Sequence, residues 1–492
     1  MSEVLEKYDV VIGLEIHAQC NTVSKMFCAC DNDSFGKEPN INVCPICMGF
    51  PGMLPAVNEE AVKKGVKTAL ALGCSIPKMS KFDRKNYFYP DLPKAYQISQ
   101  YDEPLAVEGE VEIEIGGEVD EHGNVAGPPE YRTIGIERLH LEEDAGKLTH
   151  VSTGTLCDYN RSSTPLMEIV SKPDMFSVRE ASAYAQEMQK IIRYIGSSSA
   201  DMEKGMMRFD ASVSIREKGS KTLNARGEIK NLNSFRALNK AIEAEVERQT
   251  VLWDAGNPQE EDFTIGWNDE KQEVYVMRSK EGSSDYRYFP EPDIPPVVLT
   301  KKEIEKLRSE IPELPAVRRE RFVSEYKLSD GDARLLTVDR ALADYYEKVV
   351  RICGDARLAN SFVTTILMKH LKEELIDVGE QKVTAEMMGE LLKLVVSGEI
   401  SNNVAKGEVF EEMYESGKSA GEIVKKKGLK QISDTSELEA VCKKAIEANP
   451  QAVEDFKNGK DRAIGSIVGM VMKETKGQAN PAKASEIVRK ML

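Results

Sequence analysis

The densest run of reactive side chains in the 492-residue chain is Arg138-Leu139-His140-Leu141-Glu142-Glu143-Asp144-Ala145-Gly146-Lys147. Consecutive carboxylates, a histidine and flanking cations are the groups that hold divalent metals and move protons. The alternating run Arg132-Thr133-Ile134-Gly135-Ile136 before it reads as a strand. Continued at a two-residue period, that strand sets Leu139, Leu141 and Glu143 on one face and His140, Glu142 and Asp144 on the other. A carboxylate in line with core leucines is costly to bury unless a cation or strong donor meets it, so Glu143 is a candidate metal ligand or catalytic acid. The same spacing also describes a solvated strand end entering a turn at Gly146.

Other donors fall elsewhere. Val10, Ile12, Leu14 and Ile16 alternate with Val11, Gly13, Glu15 and His17, so Glu15 and His17 share one face of a first strand, as a metal-binding pair or an exposed edge. Glu168 sits in the apolar run from Thr164 to Val170 as a further buried-carboxylate candidate. Cys28-Ala-Cys30 and Cys44-Pro-Ile-Cys47 offer two thiolate pairs suited to tetrahedral zinc, or are ordinary free cysteines. Cys20 competes as a ligand, while Cys74, Cys157, Cys353 and Cys442 read as isolated core residues.

Two segments, Lys81 to Pro90 and Arg278 to Pro290, interleave cations with aromatics. Such mixtures stack bases and meet phosphates through residues such as Arg84 and Lys85, or they lock a loop to a core. Pro90 and Pro93 favour a loop for the first. P-loop, dinucleotide-binding and nucleophile-elbow motifs are absent from the sequence. Metal-assisted phosphoryl transfer, with Arg and Lys neutralising developing charge, is the chemistry these residues support. They do not choose its substrate.

The elements that must position these groups follow from pattern and length. At 492 residues two or three domains are expected. The 41% hydrophobic and 30% charged fractions are those of a soluble globular protein. No apolar run approaches the roughly 20 residues that span a bilayer, and no signal core is visible, so no membrane partner and a cytoplasmic location are expected. A net charge of −16 opposes non-specific nucleic-acid binding, but Lys418 to Leu492 carries 15 Lys and Arg against 10 Asp and Glu. That mildly basic tail can hold RNA locally.

The periodicity predicts helices over 59–72 with Gly73 as cap, over 178–195 behind a Ser177/Glu180 capping box, and on to about Ala255 after the segment 228–234. It predicts a hairpin region over 109–136 with turns at Gly116-Gly117 and Gly127-Pro128, and a strand over 208–216. Prolines at 290, 292, 295 and 296 place a boundary near 295, and Thr300 with Glu303 opens a helical remainder. A second boundary near 408 precedes a tail containing Lys425-Lys426-Lys427 and Gly477 to Pro481. The fold class is α+β, with a β-rich domain over 1–295 carrying the cysteine insertion at about 28–47, an all-α domain over 296–408 and a helical tail over 409–492.

Val11-Ile-Gly-Leu-Glu-Ile-His17, Lys81 to Pro90, Lys94-Ala-Tyr-Gln-Ile-Ser-Gln100, Leu139 to Lys147 and Asp285-Tyr-Arg-Tyr-Phe-Pro-Glu-Pro-Asp293 together closely resemble the B-subunit family of the aspartyl/glutamyl-tRNA amidotransferase. The resemblance runs from end to end, and the tail is similar to that family's YqeY-like domain. It implies a β-rich cradle related to glutamine synthetase, a helical domain and a tRNA-contacting tail. It also implies a reaction: ATP phosphorylates the side-chain carboxylate of an aspartate or glutamate misacylated onto tRNA, and ammonia from a separate amidase then displaces phosphate. Implied partners are misacylated tRNA and two companion subunits, the amidase (A) and a small one (C); implied cofactors are ATP, Mg2+ and, through Cys28, Cys30, Cys44 and Cys47, a structural Zn2+. By motif position the resemblance assigns the magnesium site to Glu15, His17, Glu143 and Glu168, with Glu143 and His17 catalytic and Glu143 the place where ammonia loses a proton. A histidine in that set is a weak or indirect magnesium ligand or a sign of manganese tolerance. Arg84, Lys85, Arg161, Arg208 and Lys230 are its phosphate candidates. Ser163 stands where the family pattern has Gly in Arg-x-Gly-Thr-Pro, and Ser212 where it has Asn in Asp-x-Asn-x-Ser. The rival readings are a free-standing ATP-dependent carboxylate–amine ligase and a zinc-stabilised tRNA-binding scaffold.

Overall fold

The computed structural model describes residues 6–116, 118–119, 125–126, 129–279, 285–430, 435–475 and 479–492. The turns expected at Gly117 and Gly127-Pro128, part of the 278–290 segment, and Gly477 lie outside the described residues. The chain divides into two compact units, Met1–Leu314 and Pro315–Leu492.

The first unit is mixed α and β. Its site is framed by the strands β1 (Tyr8–Gln19), β2 (Asp83–Asn86), β3 (Tyr96–Ser99), β4 (Ala106–Ile115), β5 (Glu130–Glu143), β6 (Pro165–Ser171), β7 (Met207–Glu217), β8 (Gly227–Leu232), β9 (Phe263–Asn268), β10 (Glu273–Ser279) and β11 (Phe289–Pro290). An eight-stranded sheet runs β10-β9-β8-β7-β1-β6-β5-β4, and only the β8–β9 pair is parallel. β1 is central, and the alternation read from its sequence decides what each face does. Val10, Ile12, Leu14 and Ile16 are buried in one apolar core with Leu139, Leu141, Met167, Ile169, Phe209 and Ala211.

Three helices supply the other side of that core: α1 (Glu59–Ala71), α2 (Val178–Tyr194) and α3 (Phe235–Asp254). Each starts where a side chain accepts otherwise unpaired N–H groups, at Asn58, Ser177 and Ser234 respectively. α1 ends before Gly73, whose φ of +68° a β-carbon would oppose. A fourth helix, α4 (Lys301–Ser309), opens on the Thr300/Glu303 capping box and buries Leu307 in the same core, with Ile304 and Ile311 against it. The first unit therefore runs past the prolines near 295, because this helix completes its core.

The segment from Lys81 to Pro90 is not only a loop. It contains β2, which pairs with β3 on one side and β11 on the other to make a small sheet. The second unit is helical, from Pro315–Tyr326 to Pro481–Met491, with no strand among its described residues. One of its cores gathers Phe322, Tyr346, Phe362 and Phe410, and another gathers Leu438, Cys442, Ile467 and Val471. Ala405, Val409 and Phe410, which flank the boundary expected near 408, all belong to the first of these cores. The change of core falls instead between Leu429 and Leu438.

Candidate functional site

The face of the large sheet away from the apolar core carries a row of ionisable groups. Strand register sets His17 opposite Glu168 on β6 and Arg208 on β7, and sets Glu168 opposite His140 on β5. Directly opposed residues share a face, and the two-residue period brings Glu15, Glu142 and Asp210 onto it as well. Glu168 Oε2 lies 3.3 Å from His17 Nε2 and 3.4 Å from His140 Nε2. Glu142 Oε2 lies 3.8 Å from His140 Nε2 and accepts a hydrogen bond from Ser99 Oγ at 3.1 Å. His17, Glu142 and Glu168 can each turn a ligand atom to within 4.8 Å of the others, and so can Glu15, Asp210 and Glu228.

Charges this close persist because opposite charges interleave with them. Burial and Arg208 pull the His17 pKa down, yet Glu168 and Asp210 together raise it. Burial likewise disfavours the His140 cation, but Glu168 and Glu142 lift its pKa to about 9. Burial would raise the Glu168 and Glu142 carboxyls; the two histidines hold Glu168 well below its usual range, and His140 with Lys85 lowers Glu142. Glu15 is the exception, since burial raises it in spite of Lys230. The Nδ1 atoms of His17 and His140 are buried with no hydrogen-bond partner among the described residues, so the row has polar capacity to spare.

Of the residues expected to hold magnesium, Glu15, His17 and Glu168 lie on this face and Glu143 does not. Glu143 points to the leucine side of β5, where Lys94 Nζ is 2.5 Å from Oε2 and the Ile98 N–H donates to Oε1 at 2.9 Å. The cation and strong donor that a carboxylate among leucines needs are thus present, and they account for its burial without a metal. Its neighbour Glu142 takes the place in the cluster. Glu142, Asp210 and Glu228, which that expectation does not include, differ in how visible they are in the sequence. Glu142 was on the correct face by period, whereas Asp210 and Glu228 reach Glu15 only through pairing between strands far apart in sequence.

The phosphate candidates also divide. Lys230 Nζ lies 2.7 Å from Asp210 and 3.7 Å from Glu15, and also pairs with Glu228. Arg208 reaches Asp144 at 3.3 Å, and Lys85 is raised in pKa because Glu142 and Glu168 outweigh its burial. Arg161 donates to the carbonyls of Ala145 and Gly146 at 2.9 and 2.8 Å and lies 3.6 Å from Asp144. Arg84 is held elsewhere: it donates to both oxygens of buried Glu291, at 2.6 and 2.8 Å, and covers the Tyr96 ring. Beyond Glu15 the row opens into a pocket lined by Gly13, Ser212, Ser214, Asn224 and Arg226. Ser163, in the expected glycine position, has a φ of +68°, the conformation for which glycine is suited.

The cysteine segment forms a separate cluster. All four Sγ atoms of Cys28, Cys30, Cys44 and Cys47 lie within 4.8 Å of one another, and Cys20 is not among them. The Cys28 thiol and the Cys44 N–H stabilise the Cys47 thiolate, lowering its pKa to about 5, while burial pushes Cys30 up to about 11.

The family model described as the GatB/GatE catalytic domain matches residues 10–305, and that described as the GatB domain matches residues 344–492. The chain belongs to the GatB family. Its relatives include the B subunits of the Aspartyl/glutamyl-tRNA(Asn/Gln) amidotransferases of Carboxydothermus hydrogenoformans and Thermoanaerobacter pseudethanolicus, each 47% identical over 99% of both chains. The corresponding subunit of Crocosphaera subtropica is 46% identical over 99% of this chain and 98% of its own. The acid row thus lies wholly within the catalytic-domain match of this GatB-family chain. No helix among its described residues is long and apolar enough to cross a membrane.

Proposed function

We propose that this chain is the carboxylate-activating subunit of a glutamine-dependent tRNA amidotransferase, acting on Asp-tRNA(Asn), Glu-tRNA(Gln) or both. The observation that carries the proposal is the cation-rimmed row of His17, Glu142 and Glu168 within the catalytic-domain match. A carboxylate oxygen is a poor leaving group, so amidation needs prior phosphorylation by ATP; ammonia then attacks the acyl carbon and phosphate departs.

The donor set suits a hard divalent cation. His17, Glu142 and Glu168 would hold one magnesium ion and Glu15, Asp210 and Glu228 would hold another, in place of the set that included Glu143. Bound there, magnesium supplies charge neutralisation to the polyphosphate. Lys85, Arg208 and Lys230 face that charge from the rim. The pocket at Gly13, Ser212 and Arg226 receives the nucleoside end of ATP. Glu143, paired with Lys94, is the candidate acceptor for the proton that ammonia sheds. The catalytic unit is then a cradle related to glutamine synthetase, whose reaction has the same two stages. The letter B in the relatives' names implies companions, here the amidase (A) and a small third chain (C), and the setting is cytoplasmic.

The test is ATP hydrolysis and amide formation by the assembled complex, with misacylated tRNA added or withheld. Hydrolysis that requires misacylated tRNA and yields its amide supports the reading. Tight tRNA binding with neither product would leave only a scaffold.

A further inference from the structure

The charged row has two ends, and the proposed chemistry has so far used one of them. The odd-numbered residues of β1 share the charged face, successive ones about 7 Å apart. Gly13 lines the pocket assigned to the nucleoside, Glu15 stands with Asp210 and Glu228, and His17 stands with Glu142 and Glu168. The next residue on that face is Gln19, the last of β1, roughly 20 Å along the strand from Gly13. Its Nε2 donates to Asp144 Oδ2 at 3.0 Å, and Asp144 gathers two guanidiniums there, Arg208 at 3.3 Å and Arg161 at 3.6 Å.

The Asp144 side chain is 2% exposed and out of reach of a ligand, whereas those of Arg161 and Arg208 are 32% and 23% exposed. Neither arginine makes an ion pair with another carboxylate among the described residues, so two cations share one anion. Asp91, whose carbonyl accepts the Gly146 N–H at 2.9 Å, pairs with neither. Arg161 is fixed: its Nε and Nη2 donate to the Ala145 and Gly146 carbonyls at 2.9 and 2.8 Å, which leaves the Nη1–Nη2 edge of its fork unused. The turn that carries it is tied to Asp144 on both sides, by Ser163 N–H to the Asp144 carbonyl at 3.0 Å and by Asp144 N–H to the Thr164 carbonyl at 2.8 Å. In that turn the hydroxyls of Ser162 and Thr164 are buried without a hydrogen-bond partner among the described residues. A fixed guanidinium with a free edge, beside donors the protein does not use, is a receptor for a planar monoanion.

We propose that Arg161, with Arg208 beside it, receives the carboxylate that is to be phosphorylated, the side chain of the aspartyl or glutamyl group on misacylated tRNA, and that Asp144 is the positioning residue that holds the two guanidiniums together. Position decides between this anion and those of the nucleotide. In-line transfer requires the attacking oxygen on the side of the γ-phosphorus away from ADP, hence at the end of the row away from the nucleoside pocket. There the carboxylate oxygen gives an electron pair to the γ-phosphorus, the bond from that phosphorus to the β–γ bridging oxygen breaks, and ADP leaves with its electrons. No proton moves, because the acceptor is already ionised. The same receptor rejects the product: the amide has the shape of the carboxylate but no charge, and its NH2 group meets guanidinium N–H groups donor against donor.

The inference rests on the amidotransferase reading, and the experiment keeps the two apart. The assembled complex, without ATP or glutamine, is titrated with one tRNA in three forms: misacylated, amidated and uncharged. The tRNA body is common to all three, so differences in Kd report the aminoacyl site alone. The unsubstituted complex is expected to hold the misacylated form more tightly than the amidated one. Arg161→Gln, whose amide can still donate to the carbonyls at the end of β5, is expected to weaken the misacylated form by about 10- to 100-fold and to leave the other two nearly unchanged. In turnover the same variant is expected to raise the KM for misacylated tRNA and not the KM for ATP, with Arg161→Lys recovering part of the loss. Asp144→Asn keeps both guanidiniums but removes their common anion, and is expected to lower kcat by about 10- to 100-fold with the KM for ATP unchanged. Equal weakening of all three tRNAs by Arg161→Gln would make the arginine structural, and a raised KM for ATP would assign it to the nucleotide; either result overturns the inference, as does an unchanged kcat in Asp144→Asn. An unsubstituted complex that makes no amide from misacylated tRNA overturns the amidotransferase reading and the inference with it, whereas amide formation by Arg161→Gln at the unsubstituted KM overturns the inference alone.

Discussion

The cysteine cluster and the acid row both collect anionic donors, but they are assembled in opposite ways. The thiols come from one stretch of about 20 residues, Cys28 to Cys47, and converge to a closed set of four. The acids come from five strands of one sheet and are interleaved with cations. A closed set of soft ligands holds a segment in shape; an open row of hard ligands with exchangeable partners can admit and release polyphosphate. On the proposed function, architecture, more than charge, separates the structural centre from the reactive one.

The largest effect expected from this contrast is on Glu168, which pairs with both buried histidines of the row. Glu168→Gln should reduce amide formation by the complex by about a thousandfold, and should lower the unfolding temperature as well because it removes the partner of His17 and His140. Retention of a tenth or more of the wild-type rate would remove the acid row from the reaction. Next comes the buried pair on the other face. Lys94→Met strands the Glu143 carboxylate and should lower stability by about 3–5 kcal/mol, whereas the double change Lys94→Met with Glu143→Leu should restore most of it. If Glu143 also accepts the ammonia proton, stability returns in the double variant and amide formation does not; recovery of both would make the pair purely structural.

A smaller effect is expected with pH. His140 is raised from 6.5 to about 9 by Glu168 and Glu142 against its burial, so the metal-free fold binds a proton that the unfolded chain releases earlier. Its contribution is complete below about pH 6.5 and is lost as pH rises towards 9. Denaturant titrations of the metal-free protein should show that decline, and His140→Gln should flatten it. The smallest change concerns Ser163, whose φ of +68° and unpartnered buried hydroxyl are both unfavourable. Ser163→Gly should stabilise by about 1 kcal/mol, the relief of left-handed strain and of the hydroxyl exceeding the backbone entropy of glycine. Calorimetry showing a loss instead would mean that the hydroxyl has a partner in solution.

What was readable in the sequence follows the same division. The cysteine spacing is local, and four thiols within one segment have few ways to meet. Each face of β1 and β5 was legible from its two-residue period, including the position of Glu142 beside His140. The motif position assigns the metal to Glu143, whereas the period sets Glu143 on the leucine side of β5, where it pairs with Lys94. Asp210, Glu228 and Lys230 were beyond reach as a group because interstrand register brings them to Glu15. β2 was hidden for a similar reason: four residues flanked by prolines become a strand only because Tyr96–Ser99 and Phe289–Pro290 arrive from either side.

The Lys94–Glu143 pair has a consequence for how β5 finds its place during folding. A slip of one residue against β6 would exchange the two sides of the strand, sending His140 and Glu142 among the helices and Leu139 and Leu141 onto the charged face. At the end of β5, Glu142 and Glu143 are identical side chains, so a slip there would go unnoticed by residue type. Lys94 and the Ile98 N–H make the two glutamates distinguishable, because only the correct alignment gives the inward carboxylate its partners. The ion pair therefore acts as a register key, favouring the alignment that places His140 and Glu142 on the charged face.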